Sequence, residues 1–374
     1  MRYCVLYPKA ENVHLIKDVG MIAYKLHKLY GYDAFVASYN NGDYDYLNNA
    51  VKGLKQEFID KKHGHFFNVF LYLKKNAMKI DVLQIFHMTF NSAVYATIYK
   101  LFNKKGTIFL KLDCTEAILV KIKGMGFIQR VFFNFFLNRV DIIGIEQKKI
   151  FDELKTLLKK QRLKLLNVPN GIDYDIKCFS KDLDFDSREN TILSVGRIGS
   201  PEKASELLLR AFASLDAKVR QNWNLVFVGP IVKGFQKTID TFYNENKSLN
   251  SSVIFKGPIY DRENLYMEYK KVKIFCLTSN FESVGIALIE AASCGDVILS
   301  TRVGIADELT AKGNGITVNI GDEKALTEGL SKLILSTKLK TFSKVTEKLC
   351  REEYDWDLIV KKLEHRINIL RGNN

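Results

Sequence analysis

Two glutamates, Glu282 and Glu290, are separated by seven residues and follow the apolar run 273–278. This run has the length and the β-branched or aromatic content of a buried strand, and the residues after it continue with a helical period. Glu282 is therefore predicted in a turn, with Glu290 about five residues into a helix and roughly 7 to 8 Å further along it. Two carboxylates at that spacing suit a small extended ligand.

The predicted helix start lies between these acids, at Ser283, Val284 and Gly285. Backbone amides at the first turn of a helix attract a diphosphate. Carboxylates beside a phosphate would repel it, so they are expected to bind neutral hydroxyl groups instead. A ribose and a hexose flanking a diphosphate offer such hydroxyls, which points to a nucleotide sugar. The alternative is one solvated acid and one capping acid.

A second motif places cations after an earlier strand. Residues 192–212 predict a buried strand, a glycine turn containing Gly196, and an amphipathic helix. In the turn, Arg197 could bind phosphate oxygens through its planar guanidinium, and Lys203 would place a point charge at the first helical turn. In a chain rich in lysine and arginine, two cations in one loop are also expected by chance.

Together these motifs resemble the retaining glycosyltransferases of family 4, also called glycosyl transferases group 1, which have the GT-B fold. Residues 194–197 with Lys203 are similar to the donor-phosphate loop of the family, and Glu282 with Glu290 is similar to its E-x7-E motif. The resemblance implies that the Arg and Lys hold the diphosphate, the first Glu contacts the transferred sugar and the second Glu binds the ribose. It covers most of residues 160–335 clearly and the N-terminal half in outline.

The chain departs from the family pattern at three places. Residues 283–285 are Ser-Val-Gly where a Gly or Ser, Phe and Gly are usual, and we expect a changed fit there. Residues 294–296 are Cys-Gly-Asp where the family often has Gly-Val-Pro, and we expect a changed fit there. The loop after the first predicted strand lacks a glycine-rich turn, and Gly20 alone stands before a predicted helix at 21–30. Its small size could let the donor phosphate or the acceptor approach. The alternative is an ordinary N-terminal turn.

The elements that would position these residues alternate between strand and helix along the whole chain. The twelve predicted strands are 2–7, 33–38, 81–86, 107–112, 140–145, 163–168, 191–195, 225–229, 253–256, 273–277, 297–301 and 316–320. Such alternation predicts an α/β protein with two parallel, doubly wound sheets. With the resemblance, this becomes a GT-B protein whose two Rossmann-like domains face a central cleft, where the ligand is expected.

Three segments are assigned on this basis. Residues 1–175 form an acceptor-side Rossmann-like domain, and residues 176–352 form a nucleotide-sugar-binding Rossmann-like domain. The polar stretch 172–189 contains the boundary between them. Residues 353–374 resemble the closing helix of the family, which packs back on the first domain.

In the first domain, Asp113 follows the strand 107–112. By outline it occupies the region where some family members have a histidine that points at the donor sugar. We therefore expect Asp113 to contact the sugar or the acceptor hydroxyl, with an N-cap of the next helix as the alternative. His87, after the strand 81–86, is a weaker candidate.

The net charge of +14 arises from 56 basic and 42 acidic side chains and needs an explanation. Residues 121–139 and 61–79 mix cations with phenylalanines in stretches too short to span a bilayer, and they could contact an anionic membrane. Internal helices with a solvated cationic edge are the alternative. No nucleic-acid motif is present. The six scattered cysteines are expected to be reduced, and the absence of a signal or a spanning stretch predicts a cytoplasmic protein. The two basic and aromatic stretches would make it peripheral on the inner face of the membrane.

The leading hypothesis is a retaining glycosyltransferase that moves a hexose or N-acetylhexosamine from a nucleotide sugar, preferably a UDP-sugar, to a lipid-linked or surface polysaccharide acceptor. Arg197, Lys203 and the helix start would stabilise the leaving diphosphate, so no metal and no cofactor is expected. A nucleotide-sugar epimerase on the same fold and a non-catalytic membrane or sugar-binding protein are the alternatives.

Overall fold

The computed structural model describes residues 1–180 and 183–372. The chain divides into two compact units, residues 1–170 with 356–374, and residues 171–355. The sequence had placed these divisions at 175/176 and 352/353. The last helix thus belongs to the same unit as the N-terminal sheet.

The N-terminal unit contains a parallel sheet of seven strands in the order β3-β2-β1-β4-β5-β6-β7. The strands are β1 (Arg2–Leu6), β2 (Asp33–Ser38), β3 (Lys55–Phe58), β4 (Val82–Phe86), β5 (Thr107–Leu112), β6 (Ile142–Ile145) and β7 (Leu165–Asn167). The strand order reverses between β1 and β4. In doubly wound sheets ligands bind outside the carboxyl ends of the strands at such a point.

Helices cover both faces of this sheet. They are α1 (Asn12–Leu15), α2 (Asp18–Tyr30), α3 (His65–Asn76), α4 (Phe90–Phe102), α5 (Ala117–Lys123), α6 (Phe127–Arg139), α7 (Lys148–Leu157) and, at the end of the chain, α16 (Trp356–Arg371). Helix α16 packs against α2, and Trp356, Ile359 and Leu363 are buried in the same hydrophobic cluster as Ile22 and Leu26. An amphipathic face buried in this way ties the C-terminal helix to the unit.

The second unit contains a six-stranded parallel sheet in the order β10-β9-β8-β11-β12-β13. The strands are β8 (Glu189–Val195), β9 (Asn224–Val228), β10 (Val253–Phe255), β11 (Val272–Leu277), β12 (Val297–Thr301) and β13 (Ile316–Val318). The helices are α8 (Ser205–Ala213), α9 (Ala217–Arg220), α10 (Phe235–Glu245), α11 (Arg262–Lys271), α12 (Ile286–Ser293), α13 (Ala306–Leu309), α14 (Glu323–Ile334) and α15 (Leu339–Glu353). The strand order of this sheet reverses between β8 and β11.

The predicted α/β class and all twelve predicted strands are confirmed, with ends that shift by a few residues. One strand, β3, was missed. Its sequence is Lys-Gln-Glu-Phe, and it lies at the edge of the sheet, with Lys55 and Phe58 exposed. An edge strand needs no apolar run, because little of it is buried, so the pattern that predicted the other strands is absent.

The basic and aromatic segment 121–139 does not form one continuous helix. Helix α5 ends at Lys123, and α6 begins at Phe127 after a connection that contains Gly124 and Gly126. None of the described helices is both long and apolar enough to cross a membrane. All six cysteines are free thiols.

Candidate functional site

The donor candidates gather where the strand order of the second sheet reverses. Strand β8 pairs with β11, and the two loops that leave their carboxyl ends, 196–204 and 278–285, carry Lys203 and Glu282. Because neighbouring parallel strands end at the same edge, residues 79 positions apart in sequence become neighbours.

Hydrogen bonds fix these two loops to each other. The hydroxyl of Thr278 donates to the backbone carbonyls of Lys203 and Ala204, each at 3.1 Å. The side-chain amide of Asn280 donates to the carbonyl of Pro201 at 2.8 Å, and the backbone amide of Asn280 donates to the carbonyl of Glu202 at 2.7 Å. Both loops are thus held in register before any ligand binds.

Lys203 and Glu282 form an ion pair, and Ser279 donates a second hydrogen bond to the same Glu282 oxygen at 2.7 Å. The side chains are 21% and 14% exposed, so the pair remains within reach of a ligand. Lys203 was predicted in the first helical turn, which is wrong. Ala204 has a left-handed φ of 46° and caps α8, so Lys203 lies before the helix and its side chain lies against Gly196.

Glu290 lies within α12 and is buried, as a second carboxylate at the same edge of the sheet. The hydroxyl of Tyr269 donates to it at 3.0 Å, and Arg262 donates to its other oxygen at 3.3 Å. Burial, and then the carboxylate of Glu290, raise the pKa of Tyr269 well above its usual value, so this phenol stays a donor.

Sequence reasoning missed Arg262 and Tyr269. The signal was present, because Arg262, Tyr266 and Tyr269 follow the i, i+4, i+7 spacing of one helix face on α11. That face contacts Glu290 through two of the three side chains, while Arg262 also donates to the Tyr266 hydroxyl at 2.9 Å.

The start of α12 differs from the prediction. The helix begins at Ile286, and Gly285 precedes it with a φ of 83°, a left-handed conformation that favours glycine. The Val284 side chain is buried, and its carbonyl accepts a hydrogen bond from the amide of Ile305 at 3.1 Å. The helix thus begins one residue later than predicted. Binding of a diphosphate by the backbone amides of Ser283, Val284 and Gly285 stays a prediction.

Arg197 is not part of the Lys203–Glu282 ion pair. Its side chain is 63% exposed, and its only described ion pair in residues 1–180 and 183–372 is with Glu202, at 3.7 Å. A long, weakly held cation beside the loop can still reorient toward a bound phosphate.

The departure from the family pattern at 294–296 has a structural basis. Asp296 is fully buried and lies 3.3 Å from the guanidinium of Arg188, which also donates to the Cys294 carbonyl at 2.7 Å. Burial raises the pKa of Asp296 well above its usual range, which the nearby Arg188 partly offsets. This carboxylate is a packing element of the second sheet.

The candidates in the N-terminal unit occupy separate positions. Asp113 follows β5 and is exposed, and the N-cap alternative is wrong because α5 begins at Ala117 behind Glu116. His87 follows β4 with a φ of 60°, an uncommon left-handed conformation for this residue, and its amide donates to the Lys111 carbonyl.

The prediction for Gly20 needs correction. It lies inside α2, as the third residue, and a side chain there would come within 2.0 Å of the Leu15 carbonyl oxygen. The glycine lets α1 and α2 pack closely. The space that we expected a phosphate or an acceptor to use is filled by Leu15.

A buried charge cluster in the same unit was not predicted. Lys111 of β5 forms an ion pair with Glu146, which follows β6, and lies 3.4 Å from Asp18. Asn170 donates to the same Glu146 oxygen at 2.7 Å, while the other oxygen of Glu146 has no partner among the described residues. Burial raises the pKa of Glu146 to about 8, against the opposing effect of Lys111. A lysine inside an apolar strand was the overlooked signal.

Within the described ranges, no group of three or more His, Cys, Asp or Glu side chains is arranged to hold a metal ion. What the second unit does present is a cation, two carboxylates and a helix start at one sheet edge. That combination can bind a polar, phosphate-containing ligand.

Comparison with known proteins shows the family of this site. The family model for glycosyl transferases group 1 matches residues 175–348. The chain is a glycosyltransferase with a group 1 domain. It is 28% identical over 294 residues to a Campylobacter jejuni enzyme, covering 76% of this chain and 75% of that protein. That relative is an α-1,4-N-acetyl-D-galactosaminyltransferase acting on GalNAc-α-(1→4)-GalNAc-α-(1→3)-diNAcBac-PP-undecaprenol.

Other similarities of the glycosyltransferase are more limited. It is 32% identical to a D-inositol 3-phosphate glycosyltransferase of a Mycobacterium species over 149 residues, 39% of this chain and 30% of that protein. In structure it resembles the Anabaena protein HepE, solved in complex with UDP, with a TM-score of 0.75 and 16% identity over 99% of this chain and 100% of that one. A Rickettsia africae glycosyltransferase gives the same TM-score at 14% identity, over 100% and 99% of the chains. The predicted GT-B fold is thus confirmed.

Proposed function

We propose that this glycosyltransferase is a retaining enzyme that moves a hexose or N-acetylhexosamine from a UDP-sugar to a lipid-linked or surface polysaccharide acceptor. The observation that carries the proposal is the partly exposed Lys203–Glu282 pair at the point where the strand order reverses, with Glu290 on the helix that follows. The cation and the two carboxylates match the three chemical parts of a nucleotide sugar.

Donor binding would rearrange this pair. A diphosphate brings two negative charges to Lys203, and the lysine can turn to it because its side chain is not fully enclosed. Glu282, still held by Ser279, then accepts hydrogen bonds from hydroxyls of the transferred sugar. Arg197, Gly196 and the amides of residues 283–285 complete the phosphate site.

Glu290 is suited to the ribose. Its carboxylate is buried and fixed by Tyr269 and Arg262, so it can accept hydrogen bonds from vicinal hydroxyls without reorganising. A preorganised acceptor of this kind holds the nucleoside while the sugar bond breaks.

Catalysis in this proposal is electrostatic stabilisation of the leaving diphosphate. Lys203, Arg197 and the start of α12 oppose the charge that develops as the bond between sugar and phosphate breaks. The acceptor would attack from the face that the diphosphate leaves, so the anomeric configuration is retained. We expect no metal requirement, and transfer in the presence of EDTA tests this.

The choice of donor and acceptor is supported by relatives. The structurally similar HepE was solved with UDP, and the Campylobacter enzyme transfers N-acetylgalactosamine to a glycan on undecaprenyl diphosphate. By analogy, we propose that Asp113 contacts the acceptor hydroxyl or the sugar, with His87 as the weaker candidate. Gly20 is not included, since α1 fills the space beside it.

We also propose that the enzyme works as a cytoplasmic protein, peripheral on the inner face of a membrane, through residues 61–79 and 121–139. In α6, Phe127 is 84% exposed and Phe132 is 69% exposed, and in α3 Phe67 is 50% exposed. Large exposed aromatics beside cations favour an anionic bilayer. Vesicle sedimentation with anionic and zwitterionic lipids tests this contact.

The central experiment is NMR of the purified enzyme with a panel of UDP-, GDP- and ADP-sugars, following the anomeric signal with and without a lipid-linked glycan. Release of nucleotide from the UDP-sugar, with an α-linked product from an α-linked donor, supports the proposal. An inverted product contradicts the retaining mechanism. A new sugar epimer still attached to the nucleotide would identify an epimerase instead.

A further inference from the structure

The N-terminal unit contains an apolar groove between α4 and α6, and residues 124 and 125 of the loop that joins α5 to α6 also line it. Its volume is about 970 Å³, at the upper end of the range of ligand pockets. Its lining is mostly apolar. The residues that define it here are Phe90, Ala93, Thr97, Ile98, Phe132 and Phe136.

The groove begins at the ligand-binding edge of the sheet. Met88 and Thr89 line it, directly after β4 and the left-handed His87. In the first sheet the strand order reverses between β1 and β4, so the carboxyl end of β4 is the edge at which ligands of doubly wound sheets bind. A molecule with one end at this edge could place an apolar tail between α4 and α6.

The charge beside the groove has one sign. From residue 117 to residue 139 the chain contains Lys121, Lys123, Arg130 and Arg139 and no acidic residue. Lys121 is part of the lining. An apolar groove whose lining contains one exposed lysine and no acidic residue is complementary to an apolar chain that carries an anionic head.

We propose that this groove binds the hydrocarbon chain of a lipid-linked acceptor, with the phosphate head of that lipid against Lys121. The proposal rests on the proposed function for the nature of the acceptor. It differs from adsorption to a bilayer, because one chain leaves the membrane and lies between α4 and α6. Each methylene removed from water in this way raises affinity by about fourfold.

Direct binding of tetradecyl phosphate tests the groove without any transfer reaction. Calorimetry below the critical micelle concentration should show saturable binding to the full chain, and Thr97→Trp, which fills the groove, should weaken it by about tenfold or more. Ile128→Ser is the matched control. Ile128 is 70% exposed on α6 but outside the lining, so this variant should bind like the wild type.

The head group is tested separately. Lys121→Gln should weaken tetradecyl phosphate binding several-fold while circular dichroism and thermal unfolding stay unchanged, because Lys121 is exposed. Tetradecyl trimethylammonium and inorganic phosphate should each bind at least about tenfold more weakly than tetradecyl phosphate, since each lacks one part of the ligand.

Three results would overturn the proposal. The first is that tetradecyl phosphate shows no saturable binding. The second is that Ile128→Ser weakens binding and Thr97→Trp does not, because that pattern indicates adsorption to an outer surface or bilayer. A concentration-dependent dimer in sedimentation, lost in Phe132→Ser, would show that a second copy covers the groove.

Failure of the groove and failure of the proposed function are distinguishable. With transfer established, Thr97→Trp should raise KM for a long-chain acceptor about tenfold and leave KM for the same glycan on a two-carbon chain unchanged. If tetradecyl phosphate binds as expected but no nucleotide sugar is turned over, the groove stands and the proposed transferase function fails.

Discussion

The two units each contain a lysine–glutamate pair near the carboxyl edge of a parallel sheet, in very different surroundings. Lys203 and Glu282 are 21% and 14% exposed, whereas Lys111 and Glu146 are both fully enclosed. An accessible pair can exchange its partner for a ligand at modest cost, because water and the ligand can solvate both charges. An enclosed pair cannot, since separating it leaves a buried charge without compensation. The same two residue types are thus suited to binding in one unit and to packing in the other.

The largest effect expected from the contrast between the two pairs is a loss of folding stability when the enclosed pair is broken. Above about pH 8, where Glu146 is ionised, Lys111→Ala leaves the buried Glu146 and the partly buried Asp18 without their cation and should lower the free energy of unfolding by about 3 to 5 kcal/mol. Urea unfolding followed by circular dichroism measures it. The double variant Lys111→Met with Glu146→Leu should recover most of the loss. A single variant as stable as the wild type would show that water solvates the cluster.

The next effect is on catalysis. Lys203→Ala should lower turnover by roughly 10² to 10³ because it removes charge stabilisation of the leaving diphosphate, while stability changes by less than about 1 kcal/mol. Release of UDP from the donor, with acceptor present, measures the rate. Lys340→Ala is the matched control, because Lys340 is also paired with acids, Asp184 and Asp186, but lies on α15. Equal rates in both variants would remove Lys203 from the site.

A smaller effect is expected in donor affinity. Glu290→Ala should weaken UDP binding by roughly tenfold to hundredfold, because it removes a buried acceptor for the ribose hydroxyls. Calorimetry with UDP measures this. Glu268→Ala serves as control, since Glu268 is paired with Lys256 and Lys271 on the same unit. A Glu290→Ala affinity within twofold of the wild type would contradict the ribose assignment.

The last test is a slope of stability with pH, which is small for each single pH unit although it accumulates over the range. Burial raises the pKa of Glu146 to about 8 in the folded chain, whereas the ordinary pKa of a glutamate is near 4.5. Between these two pH values the folded chain therefore keeps a proton on Glu146 that the unfolded chain has lost. Stability from this group is complete below about 4.5 and falls as pH rises toward 8, by up to about 1.4 kcal/mol per pH unit. The difference in unfolding free energy between wild type and Glu146→Gln, measured from pH 5 to 8, isolates it. A flat difference would mean that Glu146 is ionised throughout as the partner of Lys111.

Local pattern predicted the fold well because buried parallel strands must be apolar and the helices between them must repeat every 3.6 residues. That requirement found twelve strands and failed at β3, whose edge position demands no apolar run. Helix ends were less accurate. A left-handed residue, such as Ala204 before α8, moved the start of a helix past the residue that the pattern favoured.

The sequence by itself determined the residue types of the proposed donor site, since Arg197, Lys203, Glu282 and Glu290 stand at motif spacings on strand–turn–helix segments. Only the tertiary structure decided their partners: Glu282 with Lys203, and Glu290 with Arg262 and Tyr269. It also decided that Gly20 packs on Leu15 and that Lys111 is buried with Glu146. The physical reason is that spacing along the chain is read from periodicity, whereas contacts between distant segments depend on the order in which strands assemble into a sheet.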